Sequence, residues 1–198
     1  MGSTRAPRTT GRPARGRTDA LADMQPASQL AHRLAKAEDL PQIVEIYNST
    51  ISSRIVTADT EPVSVAARQA WFEQHKPGSR PLWVVEQDGR CVGWLSFSSF
   101  YGRPAYNSTA ELSVYVHGSW RARGVGSYLL REAIDHAPRI GVATLLGFVF
   151  AHNTPSLRLF EKFGFSRWGL LPRVAVLDGV ERDLVILGRR ADERGTLR

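Results

Sequence analysis

AELSVYV at residues 110–116, followed by RARGVGS at residues 121–127, is the stretch that decides the fold of this chain. The first segment alternates apolar and polar residues as a strand does, and the second leads into an amphipathic helix. A helix begins with backbone N–H groups that lack a partner within the helix and with the positive end of its dipole, so an anion can bind there. The two glycines give an anion access to the backbone, and the two arginines add positive charge. The stretch therefore predicts a pyrophosphate-binding turn.

Two better-known glycine-rich turns do not fit this segment. The phosphate loop of nucleotide hydrolases needs Lys-Ser or Lys-Thr after its last glycine, where this chain has Ser127-Tyr128. The dinucleotide fingerprint needs a third glycine at Leu129 and an acidic residue near Leu146, and this chain has neither. A Gly-x-Gly turn that only caps a helix remains the structural alternative.

A second motif follows the apolar run Thr144–Phe150, which is typical of a buried strand. Asn153 then precedes a helix as a natural cap, and Asn153-x-x-Ser156 is followed by Lys-x-Gly-Phe at residues 162–165. Together with Arg-x-x-Gly-x-Gly, this pattern resembles the acetyl-coenzyme A signatures of the GNAT acetyltransferases. The resemblance implies an α/β (α+β) GNAT fold, acetyl-CoA as cosubstrate with Asn153 holding its pantetheine arm, and no metal. The coenzyme contacts that it implies are Val114, Tyr115, Val116, Arg121, Arg123, Gly124, Val125, Gly126, Ser127, Asn153 and Ser156.

Five further segments narrow the resemblance to the phosphinothricin and methionine sulfoximine acetyltransferase branch. They are Tyr47–Ile51, Thr57–Pro62, Arg68–Phe72, Arg103–Tyr106 and Thr109–Val116, and the likeness covers residues 32–190. This branch acetylates the amino group of small amino-acid-like compounds, so the resemblance implies a small-molecule amine as substrate. Arg103, Tyr106 and Glu111 are the acceptor contacts that it implies.

Composition limits the architecture to a single domain. The chain has 198 residues and 42% apolar content, which suits one core, and its apolar stretches are far shorter than the ~20 residues needed to cross a bilayer. The single cysteine, Cys91, fits a reducing compartment, so we expect a soluble cytoplasmic protein with no membrane or nucleic-acid partner. Whether the chain forms a homodimer stays open.

Both ends of the chain differ from the expected catalytic domain at residues 30–190. Residues 1–29 carry five arginines against two aspartates without apolar periodicity, which predicts a disordered basic tail. Residues 191–198 are expected to form a C-terminal tail. The remaining positive charge suits a domain that binds a polyanionic coenzyme.

The periodicities and turn signals between the tails predict a mixed sheet flanked by helices. Asp39-Leu40-Pro41 opens a first helix, and Asp88-Gly89 and Asp178-Gly179 mark two hairpins. The predicted strands are 30–35, 82–86, 91–100, 110–117, 144–150 and two closing strands around Asp178-Gly179. The further helices are predicted at 64–75, from the glycine turn to before Pro138, and at 154–163.

Aminolysis of a thioester needs a neutral amine, a stabilised oxyanion and a protonated leaving thiol. Glu111 stands where the family places its proposed base, and it can accept the proton of an amine whose pKa is about 8 to 10. A solvated glutamate on an open sheet face is the alternative. By the family analogy, a backbone N–H near Val114 to Val116 meets the oxyanion.

Two departures from the branch affect this chemistry. The position that usually holds a proton-donating histidine or tyrosine is Phe160, so Ser156, one helical turn earlier, becomes the candidate acid. A capping role for Ser156, or a thiolate that leaves without an acid, remains open. The closing hairpin reads Asp178-Gly-Val-Glu-Arg-Asp183 where the branch has an aromatic residue before the aspartate.

Several readings compete at other positions and for the whole chain. Arg103 either holds a substrate carboxylate or is an ordinary surface arginine, and His117 and His152 are interpreted as turn residues. The alternatives to a small-molecule N-acetyltransferase are a protein N-terminal or lysine acetyltransferase, a non-catalytic coenzyme A-binding module, and a nucleic-acid binder that uses the arginine-rich tail.

Overall fold

A seven-stranded mixed sheet forms the centre of the protein, whose computed structural model describes residues 1–2 and 30–192. The predicted α/β fold with a single domain is therefore confirmed. Most of the predicted basic tail and residues 193–198 lie outside the described residues. The strands are β1 (His32–Leu34), β2 (Leu82–Gln87), β3 (Arg90–Ser99), β4 (Thr109–Val116), β5 (Thr144–Phe150), β6 (Ser166–Leu177) and β7 (Val180–Arg190).

Four α-helices flank the sheet within residues 30–192, and their ends carry the predicted signals. The helices are α1 (Leu40–Ile51), α2 (Val65–Gln74), α3 (Val125–His136) and α4 (Thr154–Lys162). Pro41 lies in the first turn of α1, and the Ser64 hydroxyl caps α2 by accepting the Ala67 N–H. The predicted helix at 154–163 is one residue shorter, and the strand predicted at 30–35 is confined to His32–Leu34.

The strand order is β1-β2-β3-β4-β5-β7-β6. All neighbouring strands are antiparallel except β4 and β5, which are parallel over only three residue pairs, from Thr109 opposite Thr144 to Glu111 opposite Leu146. The hairpins predicted at Asp88-Gly89 and Asp178-Gly179 join β2 to β3 and β6 to β7. Beyond Glu111, β4 and β5 share no register, so the sheet opens at its centre.

Each face of the sheet has its own core. The larger core packs α3 and α4 against one face and includes Leu129, Leu145 and Phe160. The smaller core, with Ile43, Ile46, Val84 and Trp94, lies under α1 and α2 on the other face. No helix in the described part of the chain has the length and apolar character needed to span a membrane.

Gly93 on β3 lets the start of α3 approach the sheet. A Cβ built there would lie 2.8 Å from Cγ1 of Val125 and 3.1 Å from the carbonyl oxygen of Tyr115. Val125, the first residue of α3, is 1% exposed and belongs to the larger core. The absence of a side chain at position 93 therefore fixes where the glycine turn meets the sheet.

We predict that Gly93→Ala lowers the free energy of unfolding by about 1–3 kcal/mol, because the added methyl group overpacks this contact. It should also weaken acetyl-CoA binding by displacing the first turn of α3. Urea unfolding and titration calorimetry measure both effects. Gly118→Ala is the matched control, since nothing lies within 4 Å of its built Cβ. Equal unfolding free energies for the two variants would contradict this account of Gly93.

Candidate active site

The glycine turn presents free backbone N–H groups at the start of α3. The N-cap Gly124 has φ 86°, a left-handed conformation that favours glycine, and the first helical hydrogen bond runs from Tyr128 N–H to Gly124 C=O at 2.8 Å. The N–H groups of Val125, Gly126 and Ser127 therefore have no acceptor within the helix. They lie where the sequence predicts an anion site, at the positive end of a 12-residue helix.

The two arginines of the turn are exposed and free to meet an anion. Among the described residues, neither Arg121 nor Arg123 forms an ion pair, and the guanidinium of Arg123 lies 5.1 Å from the ring centroid of Trp120. Gly126 has little space, because its built Cβ would lie 3.2 Å from Cδ2 of Leu159. The turn therefore combines positive charge, free donors and close backbone access, as a pyrophosphate requires.

β4 presents unpaired backbone to the opening beside β5. His117 N–H donates to Val92 C=O at 2.9 Å, so these two residues form a hydrogen-bonded pair across β3 and β4. Because hydrogen-bonded and non-hydrogen-bonded pairs alternate along an antiparallel ladder, the backbones of Glu111, Ser113 and Tyr115 also bond to β3. The main-chain groups of Val114 and Val116 consequently point away from β3, beyond the last β4–β5 pair. An extended ligand can hydrogen-bond there as a short extra strand.

Tyr115 is placed differently from its two neighbours. Its backbone bonds to β3, and its ring stacks on Trp94 with centroids 4.4 Å apart, on the α1 and α2 side of the sheet. Val114 and Val116 instead pack their side chains against the larger core. Burial raises the pKa of the Tyr115 hydroxyl. Of the three predicted coenzyme contacts on β4, the structure brings only the two valines to the opening.

Asn153 lies at the start of α4, beside the same opening. It is 4% exposed, and its side-chain oxygen caps the helix by accepting the Ser156 N–H at 3.2 Å. Its amide nitrogen has no hydrogen-bond partner among the described residues, so it can donate to a ligand. The hydroxyl of Ser156, which is half-buried, also has no partner in the described part of the protein.

Phe160 fills the position expected to hold a proton donor. Its ring packs edge-on against Phe165, with centroids 4.9 Å apart, and lies over Gly147, whose built Cβ would be 2.7 Å from Cε1 of Phe160. Gly147 is the first β5 residue beyond the pairing with β4. A hydrocarbon ring therefore lies at the opening, and Phe160 itself cannot protonate a leaving group.

Glu111 is a half-buried carboxylate on the face of β4 opposite the larger core. It lies between Ser98 on β3 and Leu146 on β5, and its carboxylate has no hydrogen-bond or ion-pair partner among the described residues. Burial raises its pKa above the ordinary glutamate value. A partly desolvated, unpaired carboxylate with a raised pKa is better suited to accept a proton than a solvated one.

The loop between β3 and β4 carries the other two predicted acceptor contacts. Tyr106 packs against Phe100 at 5.4 Å and Tyr101 at 6.0 Å between centroids, and Phe100 stacks on Phe148 of β5 at 6.4 Å. Arg103 is exposed and forms no ion pair within residues 30–192. The loop joins the strand ends next to Glu111, so the structure brings these acceptor candidates to one end of the site.

The segment between α1 and α2 belongs to the matches that the branch resemblance connects with the acceptor pocket, although none of its residues was predicted as an individual contact. Tyr47 O–H donates to Asp59 at 2.5 Å, and Arg68 donates to the same carboxylate at 3.1 Å. A cavity of about 160 Å³ lies behind these residues, between the two helices and the sheet. The pattern Arg68-Gln-Ala-Trp71 carried the branch resemblance and was the available signal.

The closing hairpin, whose sequence departs from the branch pattern, contacts the segment between α1 and α2. Arg54 donates to Asp178 at 2.8 Å and to Thr60 C=O at 2.8 Å, and Nε2 of His152 lies 2.9 Å from Arg54 C=O. His117 lies within 2.7 Å of the Ser119 hydroxyl and caps the following turn. Both histidines thus have structural partners, as a role in turns requires.

Comparison with known proteins places this geometry among acetyltransferases. Residues 41–165 match the acetyltransferase (GNAT) family. YwnH of Bacillus subtilis, whose name gives it a provisional assignment as a phosphinothricin acetyltransferase, is 56% identical over 79% of this chain and 96% of its own length. The L-methionine sulfoximine/L-methionine sulfone acetyltransferase of Salmonella typhimurium is 31% identical over 81% of this chain and 94% of its own.

A solved structure with the coenzyme bound has the same fold. The phosphinothricin acetyltransferase of Sinorhizobium meliloti, in complex with acetyl-CoA, superposes with a TM-score of 0.77 at 26% identity. The match covers 81% of this chain and 88% of that one. The free N–H groups of α3, the two arginines and the backbone edge of β4 fit such a coenzyme.

We predict that Gly126→Asp abolishes acetyl-CoA binding, because the side chain brings a negative charge to the anion site. Gly126→Ala separates size from charge: its Cβ needs only a small movement of Leu159, so its affinity should fall far less. Titration calorimetry on folded variants makes the comparison. An Asp variant that binds acetyl-CoA like the unmutated protein would show that the pyrophosphate lies elsewhere.

Proposed function

The chain belongs to the acetyltransferase (GNAT) family and is an N-acetyltransferase, and from this premise we propose that its substrate is a small amino-acid-like amine of the phosphinothricin or methionine sulfoximine type. One observation carries the proposal. β4 has unpaired main-chain groups on the edge beside β5 and the unpaired carboxylate of Glu111 on the face toward α1 and α2. A thioester and an amine can therefore meet at one strand.

Different residues of the proposed coenzyme site bind different parts of acetyl-CoA. Val125, Gly126 and Ser127 would hold the pyrophosphate by their N–H groups, with Arg121 and Arg123 as counter-charges. Asn153 would donate its side-chain amide to the pantetheine arm. Acetyl-CoA supplies an acetyl thioester, whose carbonyl carbon forms a bond with the amine nitrogen as the bond to sulfur breaks.

Glu111 is proposed as the base that makes the amine nucleophilic. An amine with a pKa of about 8 to 10 is mostly protonated near neutral pH and must lose a proton to react. The Glu111 carboxylate accepts that proton directly or through one water, and burial, which raises its pKa, strengthens it as a base. The deprotonated carboxylate is the active form, so activity is lost as pH falls through its raised pKa.

Backbone N–H groups of β4 are proposed to stabilise the oxyanion, and a side chain of α4 is proposed to protonate the leaving sulfur. The N–H groups of Val114 and Val116 are fixed by the strand and lie where a thioester oxygen can gain negative charge, so either can stabilise it. Ser156 is the candidate donor to the leaving sulfur, since its hydroxyl is half-buried and lies one turn before Phe160 on α4. Coenzyme thiolate also leaves without an acid if its pKa is close to the working pH.

Arg103 and Tyr106 complete the proposed acceptor site at the Glu111 end. Arg103 has the guanidinium geometry to bind a carboxylate through two hydrogen bonds. Tyr106 adds an aromatic surface on a loop packed against Phe148. An α-amino acid held there by its carboxylate would bring its amine close to Glu111.

The remaining proposals concern the limits of the catalytic domain, the location of the protein in the cell and its oligomeric state. We propose residues 30–190 as the catalytic domain, with the terminal segments dispensable for turnover, and a cytoplasmic location that suits the free, buried Cys91. A homodimer is favoured by the apolar side chains that the edge strand β6 exposes, among them Trp168, Leu170 and Val176.

A panel of amines with acetyl-CoA, read by thiol release, tests the proposed function. Phosphinothricin, methionine sulfoximine and methionine sulfone should be acetylated, and lysine-containing or N-terminal peptides should not. Preference for peptides would favour a protein acetyltransferase. Tight coenzyme binding without turnover of any amine would favour a non-catalytic module.

Glu111→Gln should lower turnover by about 10²-fold or more near neutral pH, because the amide cannot accept a proton. The deficit should shrink at high pH, where the amine is already neutral, and acetyl-CoA affinity should stay nearly unchanged. Steady-state kinetics from pH 6 to 9 measure both. Glu45→Gln, at an exposed position of α1, is the charge-matched control. A Glu111→Gln variant that is as active as Glu45→Gln at every pH would show that Glu111 does not act as the base.

Phe160→Tyr and Phe160→His should be tolerated and should raise turnover if Ser156 or water now protonates the thiolate, since either variant restores a donor beside Gly147. If Phe160 instead shapes the acceptor pocket, the same variants should raise the acceptor KM and leave kcat alone. Phe165→Tyr adds a hydroxyl to the neighbouring ring and serves as the control. Loss of kcat in Phe160→Tyr without loss of stability would contradict both accounts.

A further inference from the structure

The sheet has two halves, whose strands pair with each other only where β4 meets β5. Strands β1 to β4 lie under α1 and α2, and strands β5, β7 and β6 carry the turn before α4 and the closing hairpin. The last pair between the halves joins Glu111 to Leu146. Beyond it, strand pairing does not set the distance between the halves, although the proposed acetyl-CoA site lies between them.

Arg54 bridges the two halves at the open end of the sheet. It belongs to residues 52–64, the segment between α1 and α2. Its guanidinium donates to Asp178 of the closing hairpin at 2.8 Å, and its main-chain carbonyl accepts a hydrogen bond from Nε2 of His152 at 2.9 Å. His152 lies in the turn between β5 and α4. Within residues 30–192, no other residue of this segment hydrogen-bonds to the half that contains β5, β7 and β6.

Both partners of the bond between His152 and Arg54 are held by further contacts. Arg54 has φ 53°, a left-handed conformation that is uncommon for residues other than glycine, and its N–H donates to Ile51 C=O at 3.0 Å. The His152 ring stacks on Phe150 with centroids 5.5 Å apart. A carbonyl oxygen only accepts, so Nε2 of His152 carries the hydrogen. A residue keeps such a backbone only where its surroundings hold it, which makes this a defined contact.

His152 directly precedes Asn153, the proposed contact of the pantetheine arm. The backbone of their turn is fixed, since Ala151 N–H donates to Asp183 C=O and Asn153 N–H donates to Phe150 C=O, each at 2.9 Å. The side-chain oxygen of Asn153 caps α4, which leaves its amide for a ligand. A coenzyme held by that amide restrains the turn, and the restrained turn fixes the position of His152.

The side chain of Arg54 connects this turn to the acceptor side. Its guanidinium also donates to Thr60 C=O at 2.8 Å. Asp59, the residue before Thr60, accepts hydrogen bonds from Tyr47 at 2.5 Å and from Arg68 at 3.1 Å. Hydrogen bonds and adjacent residues therefore lead from the turn before α4 to side chains of α1 and α2 that face the sheet.

We propose that His152 is a positioning residue that couples the two substrate sites: through the backbone and side chain of Arg54 it holds residues 52–64 against the turn that carries Asn153, so that coenzyme and acceptor each strengthen the binding of the other. This inference rests on the proposed function, which puts the coenzyme at Asn153 and the acceptor on the side of α1 and α2. Coenzyme binding fixes the turn, the turn holds Arg54, and the ordered segment then binds the acceptor with a smaller loss of conformational entropy.

Coenzyme A and methionine sulfone form a complex that cannot react, so calorimetry measures the coupling directly. We expect saturating coenzyme A to lower the Kd of methionine sulfone at least about fivefold in the unmutated protein. His152→Leu keeps an apolar contact with Phe150 and loses the donor, so the ratio should fall below about twofold. His152→Gln keeps an N–H donor near the position of Nε2 and should retain the coupling. Equal ratios in the unmutated protein and His152→Leu, or loss of coupling in His152→Gln as well, would overturn the proposal.

Arg54→Asn tests the second half of the path. Asparagine tolerates the left-handed backbone, so the carbonyl can still accept from His152, while the guanidinium contacts to Asp178 and Thr60 are lost. The coupling should fall as it does in His152→Leu. Arg90→Asn makes the same charge change at an exposed position of β3 and should keep the coupling. Coupling in Arg54→Asn that equals that of Arg90→Asn would overturn the role of Arg54.

Hydrogen exchange separates failure of this coupling from failure of the proposed function, because it needs only coenzyme A. The amides of Ser53, Arg54 and Val63 donate to Thr50, Ile51 and Asn48 of α1. Their exchange should slow at least about fivefold when coenzyme A binds to the unmutated protein or to His152→Gln, and should not slow in His152→Leu.

The exchange experiment decides the coupling even without an acceptor. If methionine sulfone binds to no form of the protein, the proposed acceptor class fails and the comparison of exchange rates still stands. Exchange that slows equally in His152→Leu, or that does not slow in the unmutated protein, overturns the coupling. Thermal unfolding and the affinity for coenzyme A alone verify that each variant is folded.

Discussion

The short parallel pairing of β4 and β5 is the constraint on which the rest of the structure depends. The pairing ends at Glu111 and Leu146, and the residues that follow on each strand pair with other strands. β4 continues its bonds with β3, and β5 continues its bonds with β7, so neither strand can close the gap. Phe160 on α4 lies over Gly147 at the same level, which fills the core side of the opening. The main-chain groups of Val114 and Val116 are thereby left for a ligand without any break in the sheet.

The alternation of side chains along β4 separates the proposed coenzyme edge from the proposed acceptor face. Val114 and Val116 send their side chains into the larger core and their backbone to the gap, next to the first turn of α3. Glu111 and Ser113 belong to the other face, where a cavity lies between α1, α2 and the sheet. A one-residue shift of β4 would exchange these faces and place the carboxylate in the core. The register with β3 therefore fixes both the backbone groups that face the gap and the face of the sheet that carries Glu111, the proposed base.

Most of the fold could be predicted because its signals are local. Ser64 and Asn153 cap their helices, Asp88 and Asp178 precede glycine in tight turns, and each signal acts within a few residues. The cavity between α1, α2 and the sheet could not be predicted in this way. Its aromatic end depends on the stacking of Trp94 with Tyr115, and its cation depends on the contact of Arg68 with Asp59. These contacts arise from sheet register and helix packing, which periodicity does not report.

The two halves of the site differ in how firmly the fold holds them. The proposed coenzyme half rests on buried contacts, in which a Cβ at Gly93 would overlap Val125 and a Cβ at Gly126 would press on Leu159. The proposed acceptor half includes the segment between α1 and α2, which is connected to the closing hairpin by the ion pair of Arg54 and Asp178. Ion pairs open to solvent add little stability, so residues of this segment can change at small cost to the core. The closing hairpin, whose sequence departs from the branch pattern between Asp178 and Asp183, makes this contact, so its residues can change without disturbing the buried contacts of Gly93 and Gly126.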